Sequence, residues 1–193
     1  RRLYELIADR LTAAGYGRSS AWCFSRRTGM FDEYIASREE YVGLGSGAFS
    51  YLQGKLFAST FSINHYRRLI AHGKSGTTRR RNMSTRDRAR YYLLMQLFGG
   101  RLDRVAAESR FAAGFCRKNW LTLAALRILG IIRIDADEIR LTERGQFVWI
   151  LLMREFFTGV NALREQMRHN IRDENRILVQ AQEVSNKSAM PEI

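Results

Sequence analysis

The sequence predicts an α+β fold whose C-terminal part is mainly helical and winged-helix-like. Three observations predict it. Residues 86–159 run helix, helix, helix, hairpin, helix, which is the order of elements in a winged-helix domain. Residues 41–61 instead read as short extended stretches broken by glycine. Between them, residues 73–85 (Gly-Lys-Ser-Gly-Thr-Thr-Arg-Arg-Arg-Asn-Met-Ser-Thr) have almost no apolar content and read as a linker. The expected organisation is 1–72, a linker over 73–85, and 86–193.

Each element has its own signal. Leu3, Leu6, Ile7 and Leu11 recur at helical spacing over residues 2–14, and Gly15 supplies the stop. Ser20 to Phe24 reads as a buried strand, and residues 25–40 as an irregular excursion. Tyr41 to Leu52 gives a strand, a glycine-rich bend and a second extended piece, with a turn at Gln53-Gly54-Lys55. Ser62 is placed to cap a helix over 63–72 that ends at Gly73. Helices are then expected over 86–98, near 103–110, and over 115–129 up to Gly130. Ile131–Ile134 and Ile139–Leu141 alternate as a hairpin around Asp135-Ala136-Asp137-Glu138. Thr142 caps a helix through Phe147, Ile150, Leu151 and Phe156 to Gly159. A charge-rich helix over 161–183 follows, and the tail around the sole proline, Pro191, should fray.

With 193 residues, 46% hydrophobic and 26% charged, the chain suits one sizeable domain or two small ones of a globular protein. No apolar run approaches the roughly 18 residues of a membrane span. The opening, Arg1-Arg2-Leu3-Tyr4-Glu5, is already amphipathic helix without a signal core, so the chain is expected to begin inside a larger protein. Cys23 and Cys116 have no metal-ligand spacing and read as reduced thiols in a cytoplasmic protein. The 32 Lys and Arg against 19 Asp and Glu give a formal charge of +13, which favours acidic partners: nucleic acid, an anionic surface or a carboxylate-rich small molecule.

The densest local feature is the triplet Gly43, Gly45, Gly47. Glycines at alternate positions clear one face of an extended segment for a flat ligand or another backbone, and equally permit a bulge or corner. Gly73-Lys74-Ser75-Gly76 lacks phosphate-loop spacing. Arg79, Arg80 and Arg81, with Arg86, Arg88 and Arg90, can meet nucleic-acid phosphates or simply form a solvated basic face. The helix over 115–129 would be the recognition helix, yet it offers Arg117, Lys118 and Asn119 only in its first turn before turning apolar. His65, His72 and His169 have no metal-spaced partner. No catalytic triad or paired carboxylate emerges; Asp32-Glu33 and Glu39-Glu40 read as surface charges.

Taken in order, three motifs carry a resemblance: Leu11-Thr12-Ala13-Ala14-Gly15-Tyr16, then Tyr41 to Leu52 as G-x-G-x-x-A-x-S, then Leu141-Thr142-Glu143-Arg144-Gly145 as L-T-x-x-G. Together they resemble the oxygen-independent coproporphyrinogen oxidases, a radical-SAM family, over nearly the whole chain. Phe49, and Trp22 to Ser25 with Asp32 to Ile35 in place of an R-H-N segment, look most like the haem-utilisation branch. The resemblance implies a TIM-like (β/α) barrel, of which 1–72 would be the C-terminal remnant, followed by the winged-helix-like domain. It implies S-adenosylmethionine at Gly45, Gly47, Ala48 and Phe49, with Phe49 stacking on a flat ring. It also implies a [4Fe–4S] cluster, whose C-x-x-x-C-x-x-C ligands are absent here, so the chain by itself is expected to be inert.

The implied substrate is haem or a related tetrapyrrole, opened anaerobically by methyl transfer, or alternatively coproporphyrinogen undergoing oxidative decarboxylation. Arg26, Arg27 and Arg38 are the candidates for its propionates. The implied partner is the missing N-terminal barrel half, and open strand edges would favour a homodimer. A basic winged-helix module that binds nucleic acid stays open as the other class, distinguished by steep salt dependence.

Overall fold

The computed structural model describes residues 1–26, 40–112 and 114–188, with backbone alone at 170 and beyond 171. The chain opens with α1 (Arg2–Ala13), β1 (Gly17–Arg18), β2 (Phe24–Ser25), β3 (Phe49–Leu52), β4 (Lys55–Ser59), α2 (Ile63–Ala71) and β5 (Thr77–Asn82). It continues with α3 (Thr85–Phe98), β6 (Arg101–Asp103), α4 (Arg104–Arg110), α5 (Phe115–Lys118) and α6 (Trp120–Ile128). The hairpin β7 (Ile132–Ile134) and β8 (Glu138–Leu141) leads into α7 (Glu143–Ser188). No helix among the described residues is long and apolar enough to cross a membrane. The contacts divide the chain into two units, Arg1–Tyr41 with Met83–Phe156, and Val42–Asn82 with Phe157–Ile193.

In the first unit, β6, β8 and β7 form an antiparallel sheet in that order, with Leu102 opposite Ile139 and Ile139 opposite Ile134. Its core gathers Leu97, Phe98, Leu102, Phe115, Ile139 and Met153, all fully buried. Tyr92, Phe111 and Phe115 pack ring against ring at 5.4–5.7 Å, and Trp149 Nε1 donates to the Leu94 carbonyl at 2.9 Å. Residues 1–72, expected as one domain, are split between the units. The cause is a set of ties from the N-terminal segment to α3 and α7. Tyr4 donates its hydroxyl to Ala21 O (2.7 Å), Ala21 N–H donates to Phe98 O (2.9 Å), and Trp22 meets Phe98 edge-on at 4.5 Å. Arg18 adds an ion pair to Glu143 at 3.2 Å. The expected strand over 20–24 shrinks to β2 because Ser20 and Ala21 are buried in a bend that serves these ties.

The L-T-x-x-G segment has a physical explanation here. The Thr142 hydroxyl accepts from Gly145 N–H at 3.0 Å and reaches Gly130 O at 2.7 Å, capping α7 against the end of α6. Gly145 lies flat on the Ile131 carbonyl, where a β-carbon has no room.

In the second unit, β3, β4 and β5 form an antiparallel sheet, with Phe49 opposite Ala58 and Phe57 opposite Arg80. Gln53 and Gly54 take φ of 48° and 73°, the two-residue turn whose twist suits a hairpin. Ser62 caps α2 by accepting from His65 N–H, and Gly73 and Lys74 close it by donating to Ile70 O and Leu69 O, both at 2.9 Å. The expected linker over 73–85 contains β5. A strand pairs through its backbone, so it needs no apolar side chain when both faces are wet; all six residues of β5 are exposed.

Two helix expectations change. The helix over 115–129 breaks into α5 and α6 at Asn119, which is buried and donates Nδ2–H to Phe115 O at 2.8 Å. The stop at Gly159 is absent, and α7 runs through it. A glycine inside an exposed helix costs about 1 kcal/mol relative to alanine, too little to break it.

Candidate functional site

The glycine bend lies within the second unit, and hydrogen bonds converge on Thr60 to hold it. Gly47 N–H and the Ser46 hydroxyl both donate to Thr60 O at 2.9 Å, while Thr60 N–H donates to Gly76 O at 2.9 Å. The Thr60 hydroxyl accepts from Ser62 N–H at 3.2 Å, so the start of α2 is tied to the same residue. Gly43 donates to Ser50 Oγ at 3.0 Å, and a side chain there would collide with the Phe49 carbonyl. Gly45 and Gly47 take φ of 102° and 71°. Gly47 faces the Phe61 ring, but the space beside Gly45 is open.

This geometry brings Gly45, Gly47, Ala48 and Phe49 together at a half-exposed corner. The Phe49 ring packs edge-on to Phe61 (6.2 Å), and the Arg164 guanidinium lies 5.6 Å from its centroid. Arg164 Nη1 also donates to Asn161 Oδ1 at 3.3 Å. No sequence signal marks Arg164: it is 115 positions from Phe49, in a charge-rich helix where no spacing distinguishes it. The corner thus offers an aromatic face, an open glycine and one delocalised cation. It can hold a flat group bearing a carboxylate.

The other candidates are scattered. Arg26 belongs to the first unit, where it donates to Ala14 O at 3.1 Å and stacks on Tyr16 at 4.6 Å. Arg27 and Arg38 lie outside the described residues. His72 is exposed, with Nδ1 2.7 Å from Arg68 O; His65 is half-buried and His169 exposed. Among the described residues no three His, Cys, Asp or Glu are grouped to hold a metal. The side chains present therefore do not fit a [4Fe–4S] cluster. The arginine run stands on β5, with Arg79 and Arg81 on one face and Arg80 on the other.

Perturbed titrations cluster in the first unit. Three backbone N–H groups, of Cys116, Phe115 and Gly114, meet the Glu108 carboxylate at 2.8, 2.9 and 2.5 Å. They hold its carboxyl below the usual range, the Cys116 N–H first, against a smaller opposing effect of burial. Glu108 thereby caps α5. Burial raises the Cys116 thiol, an effect that Arg104 partly offsets and Glu108 adds to. Burial likewise raises Tyr4, against the pull of Arg18.

No family model matches the sequence, and neither does any curated protein. The fold is similar to that of a radical SAM enzyme. That enzyme is coproporphyrinogen III oxidase (HemN) from Escherichia coli, whose solved structure overlays with a TM-score of 0.56 at 22% identity. The overlay covers 76% of this chain and 38% of that enzyme, so the chain spans well under half the enzyme's length. At this identity the likeness is one of fold.

Proposed function

We propose that the chain is the C-terminal part of a radical SAM enzyme acting on a tetrapyrrole, in the anaerobic opening of haem by methyl transfer. The observation that supports its radical SAM and tetrapyrrole part is the fold likeness to the coproporphyrinogen oxidase, joined to the G-x-G-x-x-A-x-S bend. The haem branch rests on Phe49 and the missing R-H-N segment alone. In this reading the elements within 86–193 form a winged-helix-like domain. Those within 1–72, whose described strands pair antiparallel, stand where the resemblance puts the end of a TIM-like barrel. Cluster ligands come from outside the chain, because Cys23 and Cys116 cannot supply three thiolates.

The corner at Gly45, Gly47, Ala48 and Phe49 receives S-adenosylmethionine, which supplies the radical or methyl chemistry when bound. Gly45 leaves room for close approach, Phe49 gives an apolar face for a ring, and Arg164 provides a guanidinium for the carboxylate. Arg26, Arg27 and Arg38 are the propionate candidates. Oxidative decarboxylation of coproporphyrinogen is the second reading, favoured by the activity of the similar enzyme.

Anaerobic incubation of the protein in its full reading frame, with S-adenosylmethionine and a reductant, separates the two. A linear tetrapyrrole from haem supports the first, and carbon dioxide from coproporphyrinogen the second. Failure of both substrates with an intact cluster sinks the tetrapyrrole assignment.

A further inference from the structure

The first unit contains a groove of about 610 Å³ that the reading above leaves unused. Its floor is apolar, formed by Leu123, Ala124, Ile134 and Ile139. Two side chains on its walls are far more exposed than a folded chain needs: Trp120 at 60% and Ile128 at 85%. Trp120 and Ile128 lie eight positions apart on α6 and frame the same opening. Leaving both wet forgoes the stabilisation that burying them would bring, which marks a surface that another apolar group covers.

The polar lining is cationic. Arg104 is fixed in place, donating Nη1–H to Asp135 O at 2.6 Å and Ala136 O at 2.7 Å, with the Cys116 thiol also against it. Arg127 is different: it is exposed, and its side chain makes no ion pair or hydrogen bond with any described residue. No carboxylate of the described residues lines the groove, and the nearby Glu108 is spent on three backbone N–H groups.

We infer that this groove binds a small amphiphile with a carboxylate head. The head pairs with Arg127, and the apolar body lies against Trp120, Ile128 and the floor. The volume falls within the range of small-molecule sites, roughly 300–1,000 Å³. Arginine offers a fork that matches a carboxylate, which an uncharged or cationic head cannot use.

The test titrates the protein in its full reading frame with decanoate, decanol and decylamine below their aggregation limits, read by calorimetry and tryptophan emission. Decanoate is expected to bind saturably and about tenfold more tightly than decanol, the weight of one charge-assisted contact. Arg127→Ala should abolish that preference while leaving decanol unchanged, and Ile128→Ser should weaken both. Both positions are exposed, so folding is not at stake. Trp120→Phe should remove the emission change, because Trp120 lines the groove while Trp149 is buried in the core and Trp22 packs against Phe98. Equal affinity for the three probes, a preference that survives Arg127→Ala, or an emission change that survives Trp120→Phe would each overturn the inference.

Discussion

The backbone carbonyl of Ile131 stands against Gly145, in the space a β-carbon at that position would take. Because the obstacle is backbone, it cannot rotate aside as a side-chain tip would. Gly145→Ala should therefore destabilise the fold by about 3 kcal/mol, the upper range for overpacking. Gly159→Ala is its control: the space there is open and the residue is helical, so a gain of about 0.5–1 kcal/mol is expected. Denaturant unfolding of both variants checks the contrast. A Gly145→Ala protein as stable as the parent would show that α7 does not start on the Ile131 carbonyl.

Glu108 should make stability depend on pH in the acid range. Its carboxyl is depressed from the usual 4.5 because the folded chain hydrogen-bonds only the ionised form fully. A depressed folded pKa means the contribution is full above about pH 4.5 and is lost as pH falls through the folded value. Glu108→Gln should remove that acid slope and cost about 1 kcal/mol at neutral pH, as loss of a helix cap does. Thermal melts of the two proteins from pH 3 to 7 are the measurement; parallel curves would rule out the cap as their cause.

Trp149 anchors the start of α7 to α3 through one hydrogen bond and a buried ring. Trp149→Phe keeps most of the apolar volume and loses the indole donor, so a loss of about 1–2 kcal/mol is expected. Trp149→Ala should cost about 3–5 kcal/mol by adding a cavity. If chemical denaturation gave equal losses for the two variants, the packing assigned to the ring would be wrong.

The parts of this fold legible in the sequence are those where one residue type does one local job. Gly15, Gly73 and Gly130 end their helices with positive φ, and Ser62 and Thr142 cap the next ones. The hairpin at Asp135–Glu138 follows from its flanking isoleucines. What the sequence hides depends on pairing at a distance. Strand β6 has a single buried residue, Leu102, and exists because β8 lies beside it. Strand β5 has no apolar face at all, and the ties of Tyr4 and Trp22 to distant elements have no periodic signature. At the candidate site the same division holds. The glycine corner is visible as a motif, whereas the Arg164 guanidinium over Phe49 joins residues 115 positions apart that no local pattern links.

Arg164 and Phe49 give the sharpest test of the proposed S-adenosylmethionine corner. The guanidinium sits on the ring, so each holds the other in position, and neither is buried enough to decide whether the chain folds. Arg164→Ala should weaken S-adenosylmethionine binding about tenfold by removing a charge-assisted contact to its carboxylate. Arg164→Lys should recover only part of that, because an ammonium keeps the charge but lacks both the fork and the flat surface that stacks on Phe49. Phe49→Ala should weaken binding by a similar factor through the ring it no longer stacks, while a ligand lacking the adenine, such as methionine, should lose nothing by that change. Calorimetry on the protein in its full reading frame, with melting temperatures recorded beside each affinity, separates a lost contact from a disturbed fold. If all three variants bind S-adenosylmethionine as the parent does, the corner is a structural bend and the cofactor sits elsewhere.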